Sequence, residues 1–72
     1  MRRHRNLLDA RRGRVAEHLA AEFDGLLSQV AVEAEVEVAE LELRGQVPAG
    51  AWEEMLHRLA GHRLRERAGA RR

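Results

Sequence analysis

Two stretches of this chain repeat apolar residues at a plainly helical spacing. In the first, Val15, Leu19 and Phe23 recur at i, i+4 and i+8, with Ala16 and Ala20 beside them and Glu17, His18, Ala21 and Glu22 off the stripe. Such a period marks one face of an amphipathic helix. Asp24-Gly25 then reads as a stop, because glycine takes the left-handed conformation that follows a helix end. In the second, Trp52, Met55, Leu56, Leu59 and Ala60 fall at i, i+3, i+4, i+7 and i+8, and Leu64 extends the stripe. Glu53 and Glu54 open that helix and Arg63, Arg65 and Arg67 close it, which suits the helix dipole. Glu54 and Arg58 form an i,i+4 pair in the favoured order. Gln46 to Gly50 is a turn, since Pro48 cannot continue a preceding helix and biases Val47 away from helical dihedrals.

The middle stretch, Ser28 to Arg44, is ambiguous. It reads SQVAVEAEVEVAELELR and holds Glu33, Glu35, Glu37, Glu40 and Glu42, five of the twelve acids. At period two, Val32, Ala34, Val36 and Val38 face one way, as in a half-buried strand. The phase slips at Val38-Ala39, so Leu41 and Leu43 need a bulge to stay inside. At period 3.6, Val32, Val36, Ala39 and Leu43 form one stripe, and Ala34, Val38 and Leu41 form a second. The helix is preferred. No other segment offers a strand partner, and a lone strand is not stable. The length is ordinary for a helix. Ser28 is placed to cap it and Gly45 to end it. A helix with two apolar faces has to bury both, one in its own bundle and one against a partner.

These elements predict an all-α fold, a three-helix bundle over residues 14–67 with disordered basic termini. Residues 1–13 read as a basic arm or frayed helix. Asn6 is a possible cap for a start at Leu7, but Arg11, Arg12 and Gly13 interrupt the stripe, so a firm helix is expected from about Arg14. Residues 68–72 read as a basic tail. At 72 residues there is room for one domain with a marginal core. With no cysteine, that core gains nothing from disulfides, and thiolate metal sites are ruled out. No apolar run approaches the roughly 20 residues a membrane helix needs, and no signal-peptide core follows the basic start, so a cytoplasmic protein with no membrane association is expected.

The net charge of +1 hides a segregation. Residues 1–14 set six arginines against Asp9; residues 15–56 set ten acids against Arg44; residues 57–72 set six arginines against Glu66. Basic ends around an acidic middle suit self-complementary pairing, with the ends of one chain beside the middle of another, or basic tails that touch an anion. All thirteen basic residues are arginine, a bias that coding composition alone can supply.

Several runs carry a family resemblance: VAEHLAAEFDG at 15–25, the Val- and Ala-rich middle, LRGQVP at 43–48, and MLHRLAGHRLRER at 55–67. Together they resemble the actinobacterial three-helix bundle dimerisation domain, and are similar to the module that precedes some phosphatase-like arsenate reductases. The resemblance covers Val15 to about Arg67 and rests on packing patterns. It implies a dimerisation or accessory role with no catalytic residues, and no arsenate reduction, because the phosphatase half is absent. The dense glutamates of the middle helix and the Arg-rich start depart from the pattern.

Chemistry is thin. Ser28 is the only serine and reads as a cap, and threonine, tyrosine, lysine and cysteine are absent. The chain is small for enclosing a pocket of the usual 300 Å³ or so. Glu54 to His57 is an E-x-x-H that could join Glu33, Glu37 or Glu40 around a metal, but it lies off the Trp52/Leu56/Leu59 stripe, and true metal sites point inward. His57 and His62 share a face poorly, and His4 and His18 have no evident partner. No cofactor, metal or catalysis is therefore expected. Arg2, Arg3, Arg5, Arg11 and Arg12 at one end, and Arg63, Arg65 and Arg67 at the other, are the candidates for phosphate contact in a nucleic-acid-associated regulator. The acidic middle would repel nucleic acid, and Phe23 and Trp52 are the only aromatics besides histidine, so that reading is second. The preferred expectation is a small non-enzymatic protein–protein interaction module, a homodimer or the binder of another protein. Its candidate core and interface residues are Val15, Leu19, Phe23, Val32, Val36, Val38, Leu41, Leu43, Trp52, Met55, Leu56 and Leu59.

Overall fold

The computed structural model describes residues 7–70, with side chains from Ala10 onward except Ala49. Three helices, α1 (Leu7–Glu22), α2 (Gln29–Leu43) and α3 (Trp52–Ala70), form a bundle in which each packs on both others. There is no strand among the described residues. The middle stretch is therefore the central helix. The disordered arm expected over residues 1–5, the Asn6 cap and the last two residues of the tail expected over 68–72 fall outside the described residues.

The helix ends follow from local chemistry. After α1, the Leu26 and Leu27 amides both donate to the Phe23 carbonyl, at 2.9 and 3.0 Å, and the turn passes through Gly25 at φ 86°. Only glycine takes that dihedral without strain. Ser28 caps α2: its backbone is extended and its Oγ accepts from the Ala31 amide at 3.1 Å. This bond satisfies one of the donors a helix start leaves open. Gly45, at φ 77°, ends α2, and Gln46 N–H donates to the Leu43 carbonyl at 3.0 Å. Pro48 begins a tight turn into a single 3₁₀ turn, Ala49–Ala51, which leads directly into α3.

The core is one apolar cluster at the centre of the bundle. Val15, Leu19 and Phe23 come from α1 and its end, Val32, Val36 and Ala39 from α2, and Trp52, Leu56, Ala60 and Leu64 from α3. Leu27, Leu43 and Leu59 pack on its edge, half-buried. Gly61 is also buried; a Cβ there would meet Leu19 Cδ2 at 3.6 Å, an ordinary van der Waals contact, so α1 packs near α3 without requiring glycine at this position.

Both outer helices extend past their expected ends. α1 runs unbroken from Leu7 through Gly13, where firm helix was expected only from about Arg14. Arg12 supplies the reason, since it reaches across to Glu40 of α2 and ties the early turns to the bundle. α3 continues through Gly69 to Ala70, beyond the expected boundary at residue 67. There Ala68 packs on the core and Arg67 reaches Glu35 of α2 at 3.3 Å. Tertiary contacts thus override the low helix propensity of glycine.

Two substitutions test this packing by urea denaturation. Leu56→Ala should cost about 2–5 kcal/mol, a large share of the stability of so small a domain. Gly13→Ala adds a methyl where nothing lies within 4 Å and should stabilise the chain by up to about 1 kcal/mol. A loss at Gly13→Ala would show that α1 is not helical there.

Candidate interaction surface

Helix α2 carries five glutamates and no basic residue, and the bundle sorts them into two groups. Glu40 is buried, its side chain 9% exposed, and Arg12 Nη1 of α1 donates to its Oε1 at 2.7 Å. Arg44 reaches its other oxygen at 3.4 Å. Glu42 is clamped by Arg63 of α3, whose Nη1 and Nη2 donate to the two carboxylate oxygens at 2.8 and 2.6 Å. These hydrogen bonds hold the Glu42 carboxyl below its usual titration range and raise Arg63 further above its own. Glu35 faces Arg67 of α3. Arginines from the turn and both neighbouring helices therefore neutralise three glutamates. Glu33 and Glu37 are left. Both are exposed, and among the described residues neither lies in an ion pair; Glu33 accepts only from the Gln29 amide, at 3.1 Å.

The segregated charge is also met within the chain. The charge segregation suggested basic ends of one chain beside the acidic middle of a second. In the structure Arg12, Arg63 and Arg67 reach the acidic middle of their own chain. The candidate phosphate contacts are thereby divided. Arg12, Arg63 and Arg67 are engaged with carboxylates, Arg65 is exposed, Arg11 is half-buried, and Arg2, Arg3 and Arg5 lie outside the described residues.

The second apolar stripe of α2 faces solvent. Val30 is 76% exposed, Leu41 61% and Val38 45%, and Leu26 in the preceding turn is 60% exposed. Val30, Ala34 and Leu41 stand at i, i+4 and i+11, on one line along the helix and opposite Val32, Val36 and Ala39. Ala34 is exposed too. Of the candidate core or interface residues, Val15, Leu19, Phe23, Val32, Val36, Trp52 and Leu56 are core. Leu43, Met55 and Leu59 are half-buried, and Val38 and Leu41 are on the free face. Val30 was not singled out from sequence, and Glu40 was weighed only as a metal ligand, not as a buried acid. Val30 was open to the same i, i+4 reading that found Ala34. Glu40 sits one residue beyond Ala39 on the buried side, and only the positions of Arg12 and Arg44 explain why a carboxylate is tolerated there.

Two grooves mark the surface, and both are open to solvent. One of about 350 Å³ runs between α1 and α2 beside Gly13, Glu17, Glu33 and Glu37. The other, about 860 Å³, lies between α1 and α3 beside His18, Glu54 and His57. There His18 does have a neighbour: its ring meets that of His57 edge-on at 6.4 Å. His57 Nε2 lies 3.9 Å from Glu22 Oε1, while Glu54 turns away to Arg58. The two ends of the E-x-x-H thus serve different partners, and among the described residues no three His, Asp or Glu side chains converge as metal ligands would. No helix among the described residues is long and apolar enough to cross a membrane. Compared with protein-family models, curated proteins and solved structures, the chain matches none.

Removing a partner from the Glu40 pair should be costly, because a nearly buried carboxylate would be left half-neutralised. Arg12→Met is expected to cost about 1–3 kcal/mol in urea denaturation, and Arg12→Met with Glu40→Met should recover most of it. A double variant as unstable as the single would show that the pair is not coupled. The Glu42 clamp gives a pH signature. Its folded-state pKa is depressed, so the stability it contributes is present at neutral pH and lost as pH falls through that depressed value. A carboxyl-carbon NMR titration should place the Glu42 midpoint below 4.5, and Arg63→Gln should raise it.

Proposed function

We propose that this chain is a small non-enzymatic interaction module, with a dimerisation or accessory role, that pairs with protein through the outer face of α2. The observation that carries the reading is the continuous line of Val30, Ala34 and Leu41, with Val38 beside it, left uncovered while Val32, Val36 and Ala39 on the opposite face of the helix are buried. Single exposed hydrophobics are ordinary, but a stripe along one helix marks a face that gains by being covered. The resemblance to three-helix bundle dimerisation domains fits this role. The arginine-based nucleic-acid reading is weaker, since three of its candidates are spent on glutamates within the chain.

A photo-crosslinking residue tests the proposal in cells that produce the protein. Placed at Ala34, it should yield a discrete crosslinked protein or a crosslinked second copy. That product should disappear when Leu41→Asp is added, and the same probe at exposed Glu66 of α3 should give none. Absence of any crosslink from position 34 would remove the proposal.

A further inference from the structure

We propose that the occupant of α2's outer face is an amphipathic helix of a different protein, apolar along its contact line and edged with arginine or lysine. The inference rests on the pairing reading above and specifies its partner. Glu33 precedes Ala34 and follows Val30 by three residues, and Glu37 falls between Ala34 and Leu41 at helical spacing, so both lie along one edge of the stripe. They are the two glutamates of α2 that no described cation neutralises. Exposed Glu17 of α1 adds to that edge across the neighbouring groove, which Arg12, paired with Glu40, also lines. The opposite edge holds Val38 and Glu42, the latter already clamped by Arg63.

A second copy of α2 is a poor match to this pattern. Antiparallel pairing about a two-fold axis sets like edges together, so Glu33 and Glu37 would face their own counterparts. Parallel pairing sets them beside the edge of Val38 and Glu42, where the cation, Arg63, is already held by both oxygens of Glu42. Like charges across a helix pair destabilise it and select against the wrong partner. A helix with a basic edge meets both demands at once, covering the stripe and neutralising the free carboxylates. From Val30 to Leu41 the stripe spans about 16 Å, which fits a partner helix of three to four turns.

The test uses two fluorescent synthetic peptides of about four helical turns with the same leucine stripe, one edged with arginine and one with glutamate, titrated against the whole chain by anisotropy. The arginine-edged peptide should bind at least about tenfold more tightly. Glu33→Gln with Glu37→Gln should remove most of that difference. Leu41→Asp should abolish binding even though it adds negative charge, which separates docking from diffuse attraction. Circular dichroism confirms that the variants remain folded. Equal binding of the two peptides would overturn the inference, as would undiminished binding to Leu41→Asp. Sedimentation of the chain alone as a dimer that Leu41→Asp dissociates would also overturn it, yet leave the pairing reading standing. A strict monomer that binds neither peptide would count against both.

Discussion

A helix with five glutamates and no base can sit at the middle of a bundle only if its neighbours supply the counter-charge. Arginines from α1, α3 and the turn after α2 do this at Glu35, Glu40 and Glu42. Their placement also decides which way α2 faces. Its two apolar stripes are alike enough in residue type that burial alone discriminates weakly between them. Turned about its axis, α2 would bury Val30 and Leu41, but it would carry Glu40 and Glu42 away from Arg12 and Arg63. The ion pairs therefore act less as a source of net stability, which exposed pairs rarely supply, than as a device that selects one packing of the helix. In this respect Glu40 matters most, since it is the one buried acid among the described residues.

Most of the fold was legible in the residues. The stripes of Val15/Leu19 and Trp52/Leu56/Leu64, the Ser28 cap and the glycines at 25 and 45 each predicted what the structure contains. The continuation of helix through Gly13 and Gly69 was not legible, because local propensity argues against helix there and long-range contacts through Arg12, Arg67 and Ala68 outweigh it. The two-sided character of α2 was visible as a pattern of Val32/Val36 against Ala34/Val38/Leu41. Which side the bundle would cover was not, because that depends on arginines distant in sequence. For the same reason the segregated charge did not reveal that Arg12, Arg63 and Arg67 reach the acidic middle of their own chain.

The functional reading follows from what remains after this internal pairing. The core is closed by one face of α2, and most of the described arginines are occupied. What is left is a narrow apolar stripe with a carboxylate edge. On the proposed reading, that surface is where a partner helix docks. The His18/His57 contact stays a packing feature between α1 and α3, with Glu54 directed elsewhere.

The absence of cysteine allows a direct test of the central claim, that arginine pairing holds one stripe of α2 inside and leaves the other free. Single-cysteine variants Val36→Cys and Leu41→Cys can be labelled with a thiol reagent in the folded chain. The account predicts that the thiol at 41 reacts nearly as fast as in an unfolded peptide. The thiol at 36 should react slower by about a thousandfold or more, opening only when the bundle unfolds. Comparable rates at the two positions, or protection at 41 and reaction at 36, would contradict it.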